Sequence, residues 1–249
     1  MASDPATSRP GPVLVTGAAG ALGGSVVRRF LAAGARVLAA DRDLAALAAL
    51  AEEAPVAPAG APRDSGTLET AALDLADPAA VVALFDRAAA WGGPPSAVAH
   101  LVGGFRMGPL AETSDDDWRF LLTVNLETTF LVLREAARRF AAAGGGALVA
   151  VSAPAALLGE AEVGPYAATK AAVLRLVESL AREMEAFGGR ANALLPGTMD
   201  TPGNRAAMPR ADASRWVSTD AVAEVVVHLT SPAARAINGA AIRVPGRSL

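Results

Sequence analysis

Cysteine is absent from the 249-residue chain, which also has only two histidines, one tyrosine and one lysine. The lack of thiols excludes disulfide bonds, metal thiolates and cysteine nucleophiles. Two histidines argue against a histidine-rich metal site. The formal net charge is −3, with the two signs interspersed along the chain. This balance argues against a nucleic-acid partner.

Long hydrophobic runs are also missing. No stretch approaches the roughly 18 consecutive apolar residues of a membrane-spanning helix, so we expect no membrane partner. The first eleven residues, Met1 to Gly11, are polar, contain proline and lack the apolar segment of a secretory signal. We interpret them as a flexible N-terminal tail. These features predict a soluble cytoplasmic protein.

The chain alternates short apolar runs with amphipathic stretches, which is typical of βαβ units around a parallel sheet. The predicted strands are Val13–Thr16, Arg36–Ala40, Ala71–Leu75, Ala97–Val102, Ala147–Ser152, Ala191–Leu195 and Ala241–Val244. The predicted helices are Ala21–Ala33, Leu44–Ala51, Pro78–Ala90, Asp115–Ala142, Tyr166–Phe187 and Thr219–Leu229. Residues 12–249 therefore form one α/β domain with a doubly wound parallel sheet of about seven strands and helices on both faces. Residues 54–66, rich in Ala, Pro and Gly, are predicted to be a mobile surface insertion.

A glycine-rich turn follows the first predicted strand and opens the first predicted helix. It contains Gly17, Gly20 and Gly23 within the run Thr16–Gly24. Glycines let the backbone approach a pyrophosphate, and the helix N-terminus supplies unpaired N–H groups and a positive dipole. The turn predicts a dinucleotide site; the alternative is a tight turn that only packs helix against strand.

Asp41 ends the second predicted strand, eighteen residues after Gly23, near the spacing of the acid that binds an adenosine ribose. A carboxylate there accepts hydrogen bonds from the ribose hydroxyls and repels a 2′-phosphate, which favours NAD(H) over NADP(H). Arg42 opposes this interpretation, because a guanidinium turned inward would hold a 2′-phosphate. The alternative role of Asp41 is to cap the following helix, which Asp43 would serve equally well.

Tyr166 and Lys170, the only residues of their types, stand four positions apart, so one helix face presents both. The chain uses arginine at its other basic positions, which suggests a task that needs a compact ammonium. A neighbouring cation lowers the pKa of a phenol, and a shift from about 10 to about 7 needs roughly 4 kcal/mol. We predict a tuned proton donor; the alternative is two surface residues on an amphipathic helix.

These motifs resemble the short-chain dehydrogenase/reductase family over almost the full chain, and the resemblance implies a Rossmann-like fold. It implies that Tyr166 is the acid/base, that Lys170 tunes it and holds the nicotinamide ribose, and that Asn125 holds a relay water. It further implies hydride transfer between nicotinamide and a small carbonyl, alcohol or imine-like substrate. The cofactor residues so implied are Gly17, Ala19, Gly20, Ala21, Leu22, Asp41, Arg42, Asp74, Leu75, Gly103, Gly104, Tyr166, Lys170, Pro196, Gly197, Met199 and Thr201.

The chain departs from the family thirteen residues before the tyrosine, where a serine normally polarises the substrate carbonyl. Ala153 occupies that position, and Ser152 is its neighbour. Strand side chains alternate between faces, so Ser152 would reach the site only through a bulge. An oxyanion donor is worth about 2.7–4 kcal/mol in other enzymes. Ser152 is kept as a candidate catalytic residue and Ala153 as a substrate contact.

Ala21 in the glycine turn, Ala153 and the segment after Asp200 resemble the dihydropteridine reductase branch of the family. That resemblance implies a quinonoid dihydropterin, an imine-like substrate that needs little polarisation, as an alternative. The missing serine also leaves open a non-catalytic dinucleotide-binding sensor or scaffold.

Residues 198–217 join the sixth predicted strand to the next helix and are predicted to be a substrate lid. Arg205, Met208 and Trp216 are its candidate pocket residues. His100, at the end of the fourth strand, is interpreted as a packed residue rather than a catalytic base. The resemblance implies that the helices over 115–142 and 166–187 pair across a two-fold axis into a homodimer or homotetramer.

Overall fold

The computed structural model describes residues 10–54 and 66–247. The strands are β1 Val13–Thr16, β2 Val37–Asp41, β3 Leu68–Ala72, β4 Ala97–His100, β5 Ala147–Val151, β6 Arg190–Pro196, β7 Met199–Asp200, β8 Val217–Ser218 and β9 Ala241–Val244. The helices are α1 Ala21–Ala32, α2 Leu44–Glu52, α3 Pro78–Gly92, α4 Asp115–Leu121, α5 Thr128–Ala143, α6 Gly164–Met184, α7 Pro202–Ala207 and α8 Thr219–Thr230. A π-helical turn, Leu122–Glu127, joins α4 to α5.

Seven strands form one sheet in the order β3-β2-β1-β4-β5-β6-β9, and every pairing is parallel. Strand order reverses between β1 and β4, where the crevice for a ligand opens at the carboxyl edge of an open α/β sheet. The doubly wound parallel sheet predicted from the alternating pattern is confirmed. Among the described residues, no helix is long and apolar enough to cross a bilayer.

Two apolar layers cover the sheet, because neighbouring strand residues point to opposite faces. Leu14 packs with α3, α5 and α6, whereas Val15 packs with α1, α2 and α8. Phe85 and Phe140 fill the first layer, and both are fully buried. With helices on both faces, the buried strands need no polar alternation and read as near-continuous apolar runs.

Several predicted boundaries are wrong by a few residues. The third strand is Leu68–Ala72 rather than 71–75, because the Asp74 carboxylate accepts a hydrogen bond from Ala76 N at 2.9 Å and turns the chain. The single predicted helix over 115–142 is interrupted by the π-helical turn, in which Thr128 N–H donates to Thr123 O five residues back. The sequence contains no proline or glycine there that would have signalled the break.

Two predictions fall partly outside the described residues. Residues 1–9 of the predicted tail and residues 55–65 of the predicted insertion lie there. The last two tail residues are anchored rather than loose: Pro10 O accepts a hydrogen bond from Arg36, and Gly11 O accepts one from Ser96.

Candidate active site

The glycine turn after β1 leaves no room for side chains at two of its positions. Gly17 has a φ of +73°, and a Cβ at this residue would lie 3.0 Å from Val102 N. A Cβ at Gly23 would lie 2.1 Å from the Gly17 carbonyl oxygen. Helix α1 then starts at Ala21 without a side-chain cap, because its N-cap residue is Gly20. The first N–H groups of α1 are therefore available to a phosphate.

Asp41 joins this turn to the end of β2. One carboxylate oxygen accepts a hydrogen bond from Ala19 N at 3.1 Å, and the other accepts one from Asp43 N at 3.2 Å. The helix-capping alternative for Asp41 is wrong, since Asp43 accepts from Ala46 N and caps α2. Arg42 is exposed, and so is Asp74, whereas Leu75 is buried. The Asp41 carboxylate therefore lies beside the glycine turn, and it forms no salt bridge with Arg42.

Tyr166 and Lys170 lie on the first two turns of α6, where they line the carboxyl edge of β5. Lys170 Nζ donates to Val151 O at 3.1 Å and lies 5.9 Å from the centroid of the Tyr166 ring. A Cβ at Gly103 would come within 2.9 Å of Lys170 Nζ. The lysine head group therefore occupies the space that Gly103 leaves open, beyond the carboxyl ends of β4 and β5.

Burial shifts the pKa values of both side chains. It raises the pKa of Tyr166 to about 12 and lowers the pKa of Lys170 to about 8. The expectation that the ammonium would lower the pKa of the phenol is wrong, because desolvation of the phenolate outweighs the attraction of the ammonium, which lies 5.9 Å from the ring centroid. Tyr166 is therefore a neutral phenol at physiological pH, a form that donates a proton.

Asn125 lies in the π-helical turn and is fully buried. Its Oδ1 accepts from Gly104 N at 2.9 Å, and its Nδ2 donates to Gly104 O at 3.0 Å and to Thr169 Oγ1 at 3.1 Å. The side chain thus fixes the backbone of the Gly103–Gly104 segment beside Lys170. A Cβ at Gly104 would lie 2.7 Å from the Phe120 ring, so this segment also needs glycine.

Ser152 faces away from the position of the family serine. Its hydroxyl donates to the Lys170 backbone carbonyl at 2.8 Å, and its side chain is buried. No bulge turns it, because Ser152 N pairs with Leu194 O in the regular sheet pattern. Ala153 is extended and nearly buried, so it presents a methyl group where the family has a hydroxyl. The geometry argues against the predicted catalytic role of Ser152 and makes it an anchor of α6.

The segment over 198–217 is held at both ends by a small sheet in which β7 pairs with β8. Pro196 ends β6, and a Cβ at Gly197 would lie 2.8 Å from Pro245 O. Met199 is half-buried in β7. Thr201 caps α7 by accepting a hydrogen bond from Asn204 N.

The predicted pocket residues of this segment differ in their surroundings. Arg205 does not offer a free guanidinium, because it makes a two-pronged ion pair with Asp200 at 2.6 and 2.8 Å. This ion pair holds the pKa of the Asp200 carboxyl below its usual range. Met208 is exposed and Trp216 is half-buried.

Two features of the site escaped sequence reasoning. The Phe105 ring meets the Tyr166 ring edge-on, with centroids 4.9 Å apart. The sequence indicated Phe105 only by its position two residues after Gly103, on the chain that follows β4. His100 is buried between two threonines, as expected of a packed residue, yet no sequence pattern marks those threonines as its partners.

The fold and the site together define a nicotinamide-dependent oxidoreductase, and comparison with known proteins gives the family. The family model described as "short chain dehydrogenase" matches residues 12–212. The D-threitol dehydrogenase of Mycolicibacterium smegmatis is 34% identical over 242 residues, which cover 94% of this chain and 90% of that relative. The cis-4-hydroxycyclohexanecarboxylate dehydrogenase of Sinomonas cyclohexanicum is 35% identical over 243 residues, 94% of each chain.

A solved structure of a short-chain type dehydrogenase/reductase from Mycobacterium ulcerans superimposes with a TM-score of 0.88 at 29% identity. The match covers 97% of this chain and 90% of that one. The chain belongs to the short-chain dehydrogenase/reductase family and is an NAD(P)-dependent oxidoreductase.

Proposed function

We propose that this chain uses NAD(H) to interconvert a secondary alcohol and its carbonyl compound, with Tyr166 as the acid/base. The observation that carries the proposal is that the Lys170 ammonium lies beside both Gly103 and the Tyr166 ring. Lys170 Nζ fills the space beside Gly103, and the phenol lies over it at the end of β5. The family resemblance assigns the same two residue types to the proton transfer.

The residues around the glycine turn fit a dinucleotide. Gly17 and Gly23 allow close approach of the backbone, and the uncapped N-terminus of α1 suits a pyrophosphate. The Asp41 carboxylate, held by Ala19 N, favours NAD(H), because it would repel a 2′-phosphate. The remaining candidate contacts are Leu22, Leu75, Gly104, Pro196, Gly197, Met199 and Thr201. When bound, the nicotinamide ring supplies or accepts the hydride.

The protein supplies the proton and the position of the substrate oxygen. A neutral Tyr166 hydroxyl donates to the oxygen during reduction, and the deprotonated form accepts a proton during oxidation. Because burial raises the pKa of Tyr166 to about 12, the donor form predominates near neutral pH. We therefore expect oxidation of an alcohol to accelerate as the pH rises, and reduction of a carbonyl to weaken.

The Phe105 ring contacts Tyr166 on the chain that follows β4. The segments after β4, β5 and β6 start at the same edge of the sheet and carry most of the large apolar residues that stand exposed among the described residues. These are Phe105, Met107, Leu110, Leu157, Leu158 and Met208. Together with the Ala153 methyl group, they favour a substrate whose body is apolar, such as an alicyclic or acyl-chain alcohol.

A second candidate is reduction of a quinonoid dihydropterin. The observation that favours it is the missing hydroxyl: Ala153 offers none, and the Ser152 proton is committed to Lys170 O. An imine-like substrate needs less polarisation than a ketone, so one donor, Tyr166, would suffice.

We also propose a homodimer or homotetramer formed through the α4–α5 face. Trp118 is 40% exposed and Phe130 is 45% exposed, both large for solvent-facing aromatic residues. Arg134 stacks on Phe130 at 5.1 Å, and its Nε is buried without a hydrogen-bond partner among the described residues. A second copy would cover this face, and light scattering of wild type and Phe130→Asp tests it.

Turnover with and without Tyr166 tests the central proposal. We expect purified protein to oxidise NADH with alicyclic ketones, and Tyr166→Phe to lose about 10²–10⁴-fold in kcat. NADH affinity, measured by fluorescence, should change little, because the phenol hydroxyl is not the main cofactor contact.

Comparison of substrates distinguishes the candidates. Preference for quinonoid dihydropterin over any ketone would support the second candidate. Preference for short polyols would contradict the proposal that the body of the substrate is apolar. NADH binding without turnover of either class would support a sensor or scaffold instead.

A further inference from the structure

A buried row of polar side chains links the end of β1 to the site through His100. The Thr16 hydroxyl lies 2.8 Å from His100 Nδ1, and the Thr129 hydroxyl lies 3.1 Å from His100 Nε2. Thr129 Oγ1 in turn lies 2.5 Å from the Asn125 carbonyl oxygen. All four residues have less than 2% of their surface exposed.

The direction of every hydrogen bond in this row is fixed by counting protons. A carbonyl oxygen only accepts, so the single Thr129 hydroxyl proton goes to Asn125 O. Thr129 Oγ1 must then accept from His100, which places the imidazole proton on Nε2. Burial and the nearby Lys170 charge lower the pKa of His100 to about 3, so the ring is neutral. Nδ1 therefore accepts from the Thr16 hydroxyl.

The far end of the row lies in the candidate catalytic machinery. Asn125 fixes Gly104 through two hydrogen bonds. Gly104 directly follows Gly103, which lies beside Lys170 Nζ. Asn125 Nδ2 also donates to Thr169 Oγ1, whose proton goes to the Tyr166 backbone carbonyl. A shift of the Asn125 backbone would therefore reach both the wall of the lysine pocket and the first turn of α6.

We propose that His100 is a positioning residue that orients Thr129, and through Thr129 the π-helical turn carrying Asn125, for proton transfer at Tyr166. This inference rests on the proposed function. A π-helical turn replaces the i→i+4 hydrogen bonds of an α-helix with i→i+5 bonds, and Thr129 adds a side-chain hydrogen bond to the Asn125 carbonyl within it. His100 supplies the buried N–H that holds Thr129 in the single orientation compatible with the Asn125 carbonyl.

Two substitutions of His100 separate its two nitrogen atoms. Gln reaches about as far as Nε2 and retains a donor for Thr129, whereas Asn reaches only about as far as Nδ1 and retains the contact with Thr16. We expect His100→Asn to lower kcat about tenfold, since displacement of a catalytic group by about 1 Å costs up to about 10²-fold. We expect His100→Gln to restore kcat to within about threefold of wild type, since the donor to Thr129 is kept.

Two neighbouring threonines supply a matched pair on α5. Thr128 and Thr129 are both buried, and each donates its hydroxyl to the carbonyl four residues back, but only Thr129 contacts His100. Thr129→Val should lower kcat about tenfold and increase the solvent deuterium isotope effect on kcat. Thr128→Val should leave kcat unchanged and should lower the melting temperature about as much as Thr129→Val does. This pair carries the test if His100→Asn does not fold.

The inference is overturned if Thr129→Val and His100→Asn keep wild-type kcat and isotope effect, whatever their melting temperatures. It is also overturned if Thr128→Val loses as much turnover as Thr129→Val. Failure of the proposed function has a different signature, because Tyr166→Phe would then retain turnover. NADH affinity should change less than kcat in the Thr129 and Thr128 variants, since the hydroxyls of these two threonines bond to helix carbonyls and not to the glycine turn.

Discussion

The two sides of the crevice are constructed in different ways. The side after β1 and β2 is built from backbone: Gly17 and Gly23 sit where a Cβ would collide, and the Asp41 carboxylate holds the turn. The side after β5 and β6 is built from side chains: Lys170 and Ser152 are buried there, whereas Leu157 and Leu158 stand exposed after β5. A backbone cradle suits a ligand common to the whole family, whereas exposed side chains can change without disturbing the sheet.

The strongest test of the backbone-built side is Gly23→Ala. The new Cβ would lie 2.1 Å from the Gly17 carbonyl oxygen, and backbone must move to admit it. We expect a loss of about 3 kcal/mol in unfolding free energy, at the upper end for overpacking, measured by denaturant titration. Gly20→Ala is the matched control, because the nearest atom to its Cβ is 3.4 Å away. Equal losses for the two variants would contradict the difference in available space.

The burial of Lys170 predicts that the free energy of unfolding depends on pH. Burial lowers its pKa from 10.5 to about 8. Between these values the unfolded chain binds the proton that the folded chain has lost, so stability increases with pH. The full span corresponds to about 3 kcal/mol.

Chemical denaturation at pH 8 and pH 10 would measure this gain, and Lys170→Met should lack it. The upper limit of pH 10 matters because Tyr166 acts with the opposite sign. Its folded pKa is raised, so the folded chain keeps a proton that the unfolded chain loses above pH 10, and stability then falls. A wild-type profile parallel to that of Lys170→Met would show that the ammonium stays charged in the folded protein.

A smaller effect is expected at Asp41, the residue we propose to determine the cofactor preference. Asp41→Ser removes the charge that disfavours a 2′-phosphate, and we expect the ratio of kcat/KM for NADH over NADPH to fall about tenfold. Asp43→Ser keeps a cap on α2 and lies two residues away, so it should leave this ratio unchanged. A wild-type preference for NADPH would assign the decisive role to Arg42 instead.

The smallest effect is expected on the side built from side chains. Ser152→Ala removes a buried hydrogen bond to the Lys170 carbonyl, which costs about 1 kcal/mol of stability. Turnover should stay within about threefold, because the hydroxyl proton is not available to a substrate. A loss of orders of magnitude in kcat would restore Ser152 as the carbonyl-polarising residue.

The sequence predicted the parts of the fold that depend on local pattern. Six of the seven strands of the main sheet lie within two residues of the apolar runs that predicted them, since parallel strands buried on both faces need such runs, whereas the third strand begins three residues earlier than predicted. The π-helical turn and the pair β7–β8 were not predicted, because neither has a periodicity that distinguishes it from a helix or a loop. The family resemblance located Asn125 correctly within the helix but gave no indication of its distorted backbone.

The sequence supplied candidate residues for the site, which remain predictions, but it did not supply their hydrogen bonds. Ser152 was kept as a candidate catalytic residue because a bulge could have turned it into the site, but its hydroxyl donates to the Lys170 carbonyl. The partner of Arg205 depends on how Asp200 and α7 fold together. The pKa of Tyr166 depends on burial, which no spacing of residues reports.

The small sheet formed by β7 and β8 has a consequence for diversification of the family. Because β7 and β8 pair with each other, the chain between them begins and ends at the same hydrogen-bonded strand pair. Residues 201–216 can therefore be lengthened, shortened or exchanged as a cassette while β6 and α8 keep their places. Transplanting this cassette between relatives offers a direct route to new specificities on an unchanged catalytic frame.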